Sequence, residues 1–372
     1  MKYYVITGER SGDLHVSHVI NHLKDLDPEA QFRGVGGGYA AEEGMTLFKD
    51  YAKINYMGFW EVFRNMRSIL KSMKKVKADL LAYQPDVLLL VDFAGFNMRM
   101  ARFAKGHGIR VHYYISPKIW AWNSQRALKI KEIVDRMFVV LPFEKEFYKK
   151  YNFDVDYVGN PVLDSIVKFQ PNPAFRQKHG LDDRPIIAIL PGSRQMEVRN
   201  ILHTMLSVTP AFPHCQFVIA AVDNQPEKYY DYFRRNGLIT IVIGETYNLL
   251  FEAEAALVAS GTATLETALF KVPQVVCYAA SPTSYWIARS VINVKYISLV
   301  NLILNKPAVK ELIQGDFNPV DTRLQLQRIM EDEKARAEML ADYEDLIEKL
   351  GNPGASKKTA QLIFEDLKQA GK

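Results

Sequence analysis

Only two of the 372 residues are cysteine, Cys215 and Cys277. That excludes a disulfide-stapled domain, and the pair lacks the close spacing of a zinc site. Reduced thiols fit a cytoplasmic protein. No uncharged apolar stretch approaches the roughly 18–20 residues that cross a bilayer. The most apolar region, Tyr285 to Leu304, is broken by Arg289 and Lys295. No basic segment with an apolar stretch behind it precedes the strand-like Tyr3 to Thr7, so no secretory leader is expected. Repeats and low-complexity segments are missing as well, which removes solenoids and disordered tails. The charge surplus is small, +5 with a pI near 8.9. It permits a phosphate, nucleotide or lipid-surface partner and gives no reason to expect nucleic acid.

What remains is ordinary globular composition, 48% hydrophobic and 24% charged, in a chain longer than one core usually serves. Short apolar runs alternate with helical periodicity. Strands are expected at Tyr3–Thr7, Phe32–Val35, Val87–Val91, Val111–Ile115, Arg136–Val140 and Val155–Val158. The alternation stops at Phe169 to Pro173 and Asp182 to Pro185, which are Pro- and Asp-rich around a short helix and read as a linker. It resumes at Ile186–Leu190, Gln216–Ala221, Ile239–Ile243, Ala256–Ala259 and Gln274–Tyr278. Non-alternating apolar strands separated by helices predict parallel sheets, hence an α/β protein of two Rossmann-like domains. We place them at 1–165 and 166–345, with a charged helical segment, 346–372, returning to the first domain or to a partner subunit. Such sheets bind ligands at their carboxyl ends, and a cleft between the two domains is the expected site.

Six segments sit where those ends should be. Gly8-Glu9-Arg10-Ser11-Gly12-Asp13-Leu14-His15 follows the first strand and puts three titratable groups beside two glycines. It lacks the Gly-Lys-Ser/Thr ending of a P-loop. Gly36-Gly37-Gly38 follows the second strand as a turn or a backbone ligand contact. Asp92 ends the very apolar strand 87–91, where it could cap a helix or act as a general base. Ser116-Pro117-Lys118-Ile119-Trp120-Ala121-Trp122 places two of the four tryptophans in one loop, a candidate wall for an apolar or sugar ligand. In the second domain, Gly192-Ser193-Arg194 offers N–H groups, a hydroxyl and a guanidinium to a pyrophosphate. Ser260-Gly261-Thr262 opens another helix, and Glu266 one turn on could bridge the hydroxyls of a ribose. Together the last two segments read as a nucleotide-diphosphate site. No metal site is expected: Asp154-Val155-Asp156 has Asp-x-Asp spacing but lies in an expected strand. No cofactor is called for.

These segments, in this order, resemble the lipid-A-disaccharide synthases, a family of GT-B glycosyltransferases. The likeness also takes in Met57-Gly58 with Glu61-Val62, Pro142-Phe143-Glu144, Gly159 with Pro161 and Asp164, and Asn301-Leu302. The resemblance implies two Rossmann-like domains in GT-B arrangement. It implies an inverting reaction in which UDP-2,3-diacylglucosamine glycosylates 2,3-diacylglucosamine 1-phosphate, giving the β-1,6-linked disaccharide of lipid A and UDP. It further implies a cytoplasmic enzyme held peripherally at the inner membrane of a Gram-negative cell, often a homodimer that exchanges C-terminal segments. Ser11, Gly12, Trp120, Trp122 and Asn301 would then hold the acylated acceptor. The family usually carries an Asp where Gly95 stands here, so Asp92, Glu9 or Asp13 must supply the base. Rival readings are another UDP-sugar enzyme of this fold (an epimerase or a soluble glycosyltransferase) and a non-catalytic nucleotide-sugar-binding protein.

One segment points to the membrane. From Phe63 to Lys77 there are six cations and no acid, and Met66, Ile69, Leu70, Met73 and Val76 recur at helical spacing. An amphipathic helix of this kind can lie on anionic lipid, with Met66, Ile69, Leu70 and Met73 as the contact, or pack on its own sheet.

Overall fold

The computed structural model describes residues 1–53, 66–192, 195–221, 230, 239–281, 285, 289–290, 292 and 294–372. The chain divides into two compact units, Met1–Asp164 with Asn352–Lys372, and Ser165–Gly351.

The first unit is built on seven parallel strands in the order β3-β2-β1-β4-β5-β6-β7. They are β1 (Lys2–Thr7), β2 (Gln31–Gly36), β3 (Thr46–Asp50), β4 (Val87–Val91), β5 (Arg110–Tyr114), β6 (Arg136–Val139) and β7 (Asp156–Tyr157). β4 is uniformly apolar, and β1 is buried from Tyr3 to Thr7, because helices cover both faces. Helices α1 (Arg10–Leu26), α2 (Gly38–Glu42), α3 (Met66–Tyr83), α4 (Ala94–Lys105), α5 (Arg126–Ile133), α6 (Pro142–Lys149) and α7 (Pro161–Lys168) connect or follow the strands. Met73, Val76 and Leu80 of α3, Phe96 and Met100 of α4, and Ile130 of α5 fill one core against the sheet. The order reverses between β1 and β4, whose neighbouring ends are Thr7 and Val91.

The C-terminal helix α15 (Ala355–Gln369) packs on α1 of its own chain. Two aspartates hold it. Asp164 accepts hydrogen bonds from the N–H groups of Gly354, Ala355 and Ser356 at 2.5, 3.2 and 2.9 Å, capping the helix. Asp366, near the other end, takes a two-pronged contact from Arg110 (2.5 and 2.8 Å) and one from His112 Nε2 (2.7 Å). Burial by itself raises its carboxyl, but the hydrogen bonds from His112 and Arg110 and the Arg110 charge outweigh that and hold it below the usual range.

The second unit carries six parallel strands in the order β10-β9-β8-β11-β12-β13. They are β8 (Ile186–Leu190), β9 (Gln216–Ala221), β10 (Ile239–Ile243), β11 (Ala253–Ala259), β12 (Gln274–Tyr278) and β13 (Lys310–Ile313). Here the order reverses between β8 and β11. The described helices are α8 (Phe175–Lys178), α9 (Gln195–Leu206), α10 (Thr246–Glu252), α11 (Thr262–Leu269), α12 (Leu299–Leu304), α13 (Pro319–Glu331) and α14 (Glu333–Leu350). The stretch expected to be a linker is part of this unit. Phe175 is buried in its core, and Arg176 pairs with Glu252 at 2.6 Å. The chain passes between units inside α7, where Asp164 belongs to one and Ser165 to the other, and again at Gly351–Asn352.

Candidate functional site

The two reversal points hold the residues singled out from sequence. In the first unit, β1 runs into Gly8 and Glu9, and β4 into Asp92 and Phe93. A Cβ on Gly8 would sit 2.1 Å from the Phe93 ring, so only glycine allows this approach of the two strand ends. Asp92 and Phe93 have φ of 45° and 47°, and Ile115, which follows β5, has 62°. Three left-handed residues at adjoining strand ends are locally strained, a condition that collects at functional sites. Three contacts over-determine the turn: Asp92 N–H donates to Tyr114 O (3.2 Å), Asn97 Nδ2 donates to Asp92 O (2.8 Å), and the Tyr113 hydroxyl donates to that same oxygen.

Glu9 and Asp92 come together across the reversal point. Their side chains are hydrogen-bonded, and Asp92 is pushed up to about 7, by burial first and then by the Glu9 charge, with Lys118 opposing. A half-buried carboxyl that titrates near neutrality can take a proton from a hydroxyl. Gly95, in the first turn of α4, is exposed with open space around it, so Asp92 and Glu9 are the carboxyl groups at this edge.

Asp13 does not join them. It is fully buried and accepts hydrogen bonds from Gly37 N–H (2.7 Å) and Tyr39 N–H (3.0 Å). It thereby caps α2 and fixes the glycine turn, which corrects its candidacy as a base. Burial raises its carboxyl despite these donors. His15 is corrected too: its Nδ1 is buried, and its pKa is lowered to about 4 by burial first and by His18 second, leaving a neutral imidazole inside the fold. Ser11 is exposed in the first turn of α1, whereas Gly12 is buried where a Cβ would meet Thr7 Oγ1 at 2.5 Å.

The two tryptophans have different roles. Trp120 is half-buried, donates from Nε1 to Glu144 Oε1 (3.1 Å), and meets Phe143 edge-on at 5.0 Å. Glu144 also accepts from Ser116 Oγ (2.5 Å), Leu141 N–H (3.0 Å) and Val140 N–H (3.3 Å). This buried carboxyl, still raised by desolvation, ties the loop after β5 to the start of α6. Trp122 is 36% exposed, with the Arg126 guanidinium over its ring at 4.1 Å from the centroid.

In the second unit, Gly192 follows β8 with φ 96°, a turn that favours glycine. Ser193 and Arg194 lie outside the described residues, as do Met57, Gly58, Glu61 and Val62. Across the reversal point, Ser260 donates from Oγ to Ile297 O (2.9 Å), Gly261 caps α11, and Thr262 is exposed in its first turn. Glu266 accepts from the Tyr247 hydroxyl at 2.9 Å, and burial raises its carboxyl. Tyr247 packs against Phe169 (5.8 Å) and Phe270 (5.2 Å), which holds the pair in place. Tyr247, nineteen residues away, gave no signal in the sequence.

Asn301 needs correction. It is buried, with Nδ2 donating to Val309 O and Glu311 Oε1 (both 2.9 Å) and Oδ1 accepting from Val309 N–H (2.9 Å). Its amide is consumed inside the second unit and holds β13 to α12. The α3 expectation also changes: Met73 is 5% exposed in the core, Ile69 packs partly against it, and Leu70 is 50% exposed. Met66's side chain lies outside the described residues. Asp156 of the Asp-x-Asp match pairs with Arg136 at 2.8 Å, and among the described residues no three His, Cys, Asp or Glu side chains gather as a metal site.

A family model described as lipid-A-disaccharide synthetase matches residues 3–365. The chain belongs to that family. Its members are glycosyltransferases, and this chain is an enzyme of that class. Relatives named lipid-A-disaccharide synthase include one from Syntrophus aciditrophicus, 36% identical over 98% of both chains. Another, from Myxococcus xanthus, is 35% identical over 97% of this chain and 96% of its own. Among solved structures, the UDP-GlcNAc 2-epimerase of Neisseria meningitidis bound to UDP-GlcNAc is similar at a TM-score of 0.70 and 14% identity, covering 98% of this chain and all of that one. The UDP-GlcNAc 2-epimerase of Methanocaldococcus jannaschii with UDP-GlcNAc and UDP follows at 0.66 and 14% identity, over 98% and 99%. These likenesses show the GT-B fold alone.

Proposed function

We propose that this enzyme transfers the sugar of UDP-2,3-diacylglucosamine to the 6-hydroxyl of 2,3-diacylglucosamine 1-phosphate, forming the β-1,6 disaccharide of lipid A and UDP. The family match from residue 3 to residue 365 carries the reading. The UDP-GlcNAc and UDP bound in the two structural neighbours support a UDP-sugar donor. In the first unit the ionised Asp92 takes the proton of the acceptor's 6-hydroxyl as that oxygen attacks the anomeric carbon. The bond from that carbon to the UDP oxygen breaks with its electron pair leaving on UDP, and one displacement turns the α linkage into β. Glu9, hydrogen-bonded to Asp92, keeps that carboxyl raised. In the second unit Gly192, Ser193 and Arg194, with Ser260, Gly261 and Thr262, receive the diphosphate, and Glu266 the ribose. Helix N-termini and Arg194 offset the charge that builds on the leaving group.

Both substrates are acylated, so the enzyme works peripherally at a cytoplasmic membrane face. No helix among the described residues is long and apolar enough to cross a bilayer. Exposed Leu70, with Arg67, Lys71, Lys74 and Lys75 exposed on the same helix, suits an anionic surface. A homodimer exchanging α15 would keep the Asp164 and Asp366 contacts between subunits instead of within one. Incubation with donor and acceptor, followed by mass spectrometry for UDP and disaccharide, tests the reaction. Turnover of UDP-GlcNAc without an acceptor would favour the epimerase reading instead.

A further inference from the structure

The loop between β5 and α5 and the first residue of that helix carry two cations, Lys118 and Arg126. Among the described residues, neither Lys118 nor Arg126 lies within salt-bridge distance of a carboxylate. The loop is nevertheless rigidly held: Ser116 and Trp120 both donate to the buried Glu144, and Ile119 is buried. Arg126 is further fixed by its stacking over Trp122. The loop also starts at the reaction edge. Val91 and Tyr114 are paired across β4 and β5, so Asp92 and Ile115 leave the sheet side by side, and Lys118 follows three residues on. Its ammonium acts on the Asp92 carboxyl directly. Burying an unpaired cation would be costly, but Lys118 and Arg126 are exposed, and Arg126 is pre-positioned by its stacking on Trp122, which suits capture of an incoming anion with little loss of side-chain entropy at the guanidinium.

We propose that Lys118 and Arg126 form a phosphomonoester subsite that holds the 1-phosphate of the acceptor sugar while its 6-hydroxyl faces Asp92, with the Trp122 ring bracing the guanidinium. This rests on the reaction proposed above. It makes Lys118 and Arg126 specificity residues: they select a sugar that is phosphorylated at the far side of its ring from the attacking hydroxyl. Arg is the better second member because its fork can take two phosphate oxygens at once.

The test uses the full-length protein with Lys118→Gln, Arg126→Gln and Arg126→Lys. Each is assayed with short-chain 2,3-diacylglucosamine 1-phosphate and with the same sugar lacking phosphate. Each glutamine variant should raise the KM for the phosphorylated acceptor by about tenfold to a hundredfold, as expected for one charged hydrogen bond. The KM for the UDP-sugar should stay at the wild-type value in every variant, and the rate with the unphosphorylated acceptor should stay at the wild-type value in the Arg126 variants, since Lys118 also acts on Asp92. Arg126→Lys should recover part of the loss. Calorimetry of 2,3-diacylglucosamine 1-phosphate binding gives the same answer without turnover: weaker binding in the glutamine variants supports the subsite even if no disaccharide forms, in which case only the reaction fails. Equal losses with both acceptors, or unchanged KM and binding, overturn it. A lipid headgroup is the other source of phosphate. If the variants lose sedimentation with phosphatidylglycerol vesicles while acceptor binding is intact, the cations serve the membrane and the subsite is refuted. Both residues are exposed, so melting temperatures should match wild type.

Discussion

Asp92 gives the sharpest quantitative test. Only its ionised form can accept a proton, and it titrates near 7. Log kcat/KM should therefore rise with unit slope up to about pH 7 and then level off, so that at pH 6 the enzyme retains about a tenth of its plateau rate. The causes of the shift predict how the limb moves. Glu9→Gln removes a charge and a hydrogen bond that raise Asp92, so the limb should move to lower pH. Burial, the largest cause, remains, and should keep the limb above the ordinary Asp value of about 3.9. Lys118→Gln, read at saturating acceptor, should move it up. Asp92→Asn, which suits the left-handed backbone, should lose roughly 100- to 10,000-fold in rate. The same variant makes a second prediction through linkage. A carboxyl whose folded pKa lies above its unfolded one opposes folding when ionised. That penalty is absent below about pH 4, grows between pH 4 and 7, and is complete above it. Asp92→Asn should thus be more stable than wild type at pH 8, by of the order of 2–4 kcal/mol, and no more stable at pH 4. A flat pH profile from 5.5 to 8 (roughly the span over which a group near 7 must titrate), or a variant with near-normal turnover, would place the base elsewhere.

Other consequences are as specific. Glu144→Ala leaves four donors without their acceptor in a buried site and should cost about 3–5 kcal/mol in urea unfolding, whereas Glu144→Gln, which keeps one oxygen, should cost about 1–3 kcal/mol. Glu266→Ala should weaken UDP binding by about 1.5–3 kcal/mol in calorimetry, and an unchanged affinity would remove it from the ribose site. Leu70→Ser should reduce vesicle binding with little change in melting temperature, while Met73→Ala should destabilise by about 2–5 kcal/mol, because one side chain is exposed and the other is core. Because Arg194 and helix N-termini can answer the leaving diphosphate, activity should survive EDTA, and a loss restored by Mg²⁺ would contradict this.

The sheets were legible because their inner strands are buried on both faces and so read as unbroken apolar runs. Ile186–Leu190 and Gln274–Tyr278 appear in the structure with the expected ends. The strands that escaped notice are edges. β3, Thr-Leu-Phe-Lys-Asp, and β13, Lys-Glu-Leu-Ile, carry charges at half-exposed positions, and a run-based reading has nothing to detect there. The linker was misplaced for a related reason. Proline and aspartate near residues 169–185 signal turns, but turn residues do not tell whether the segment packs, and Phe175 does. The actual passage lies inside α7, a regular helix with no compositional mark, because Asp164 is needed to cap a helix almost two hundred residues later.

The same physics explains which candidate side chains survived. A carboxylate that ends a strand looks alike in sequence whether it faces a ligand or its own backbone. What separates the two cases is where its lone pairs go. Asp13, Asp164 and Glu144 each accept from at least two backbone N–H groups, and each thereby fixes a turn, a helix end or a loop. The donors to Asp13 and Asp164 come from residues that spacing alone does not bring near, whereas the backbone donors to Glu144 lie only three and four residues before it. Asn301 is spent in the same way, on both sides of its amide. Glu9 and Asp92 differ: they are hydrogen-bonded to each other, two acids at the point where the strand order reverses. Such a pair is unfavourable for folding and is supported by the three hydrogen bonds that hold the Asp92 turn. The surrounding carboxylates therefore act on the reaction indirectly, by making rigid the loops that oblige two acids to share one edge.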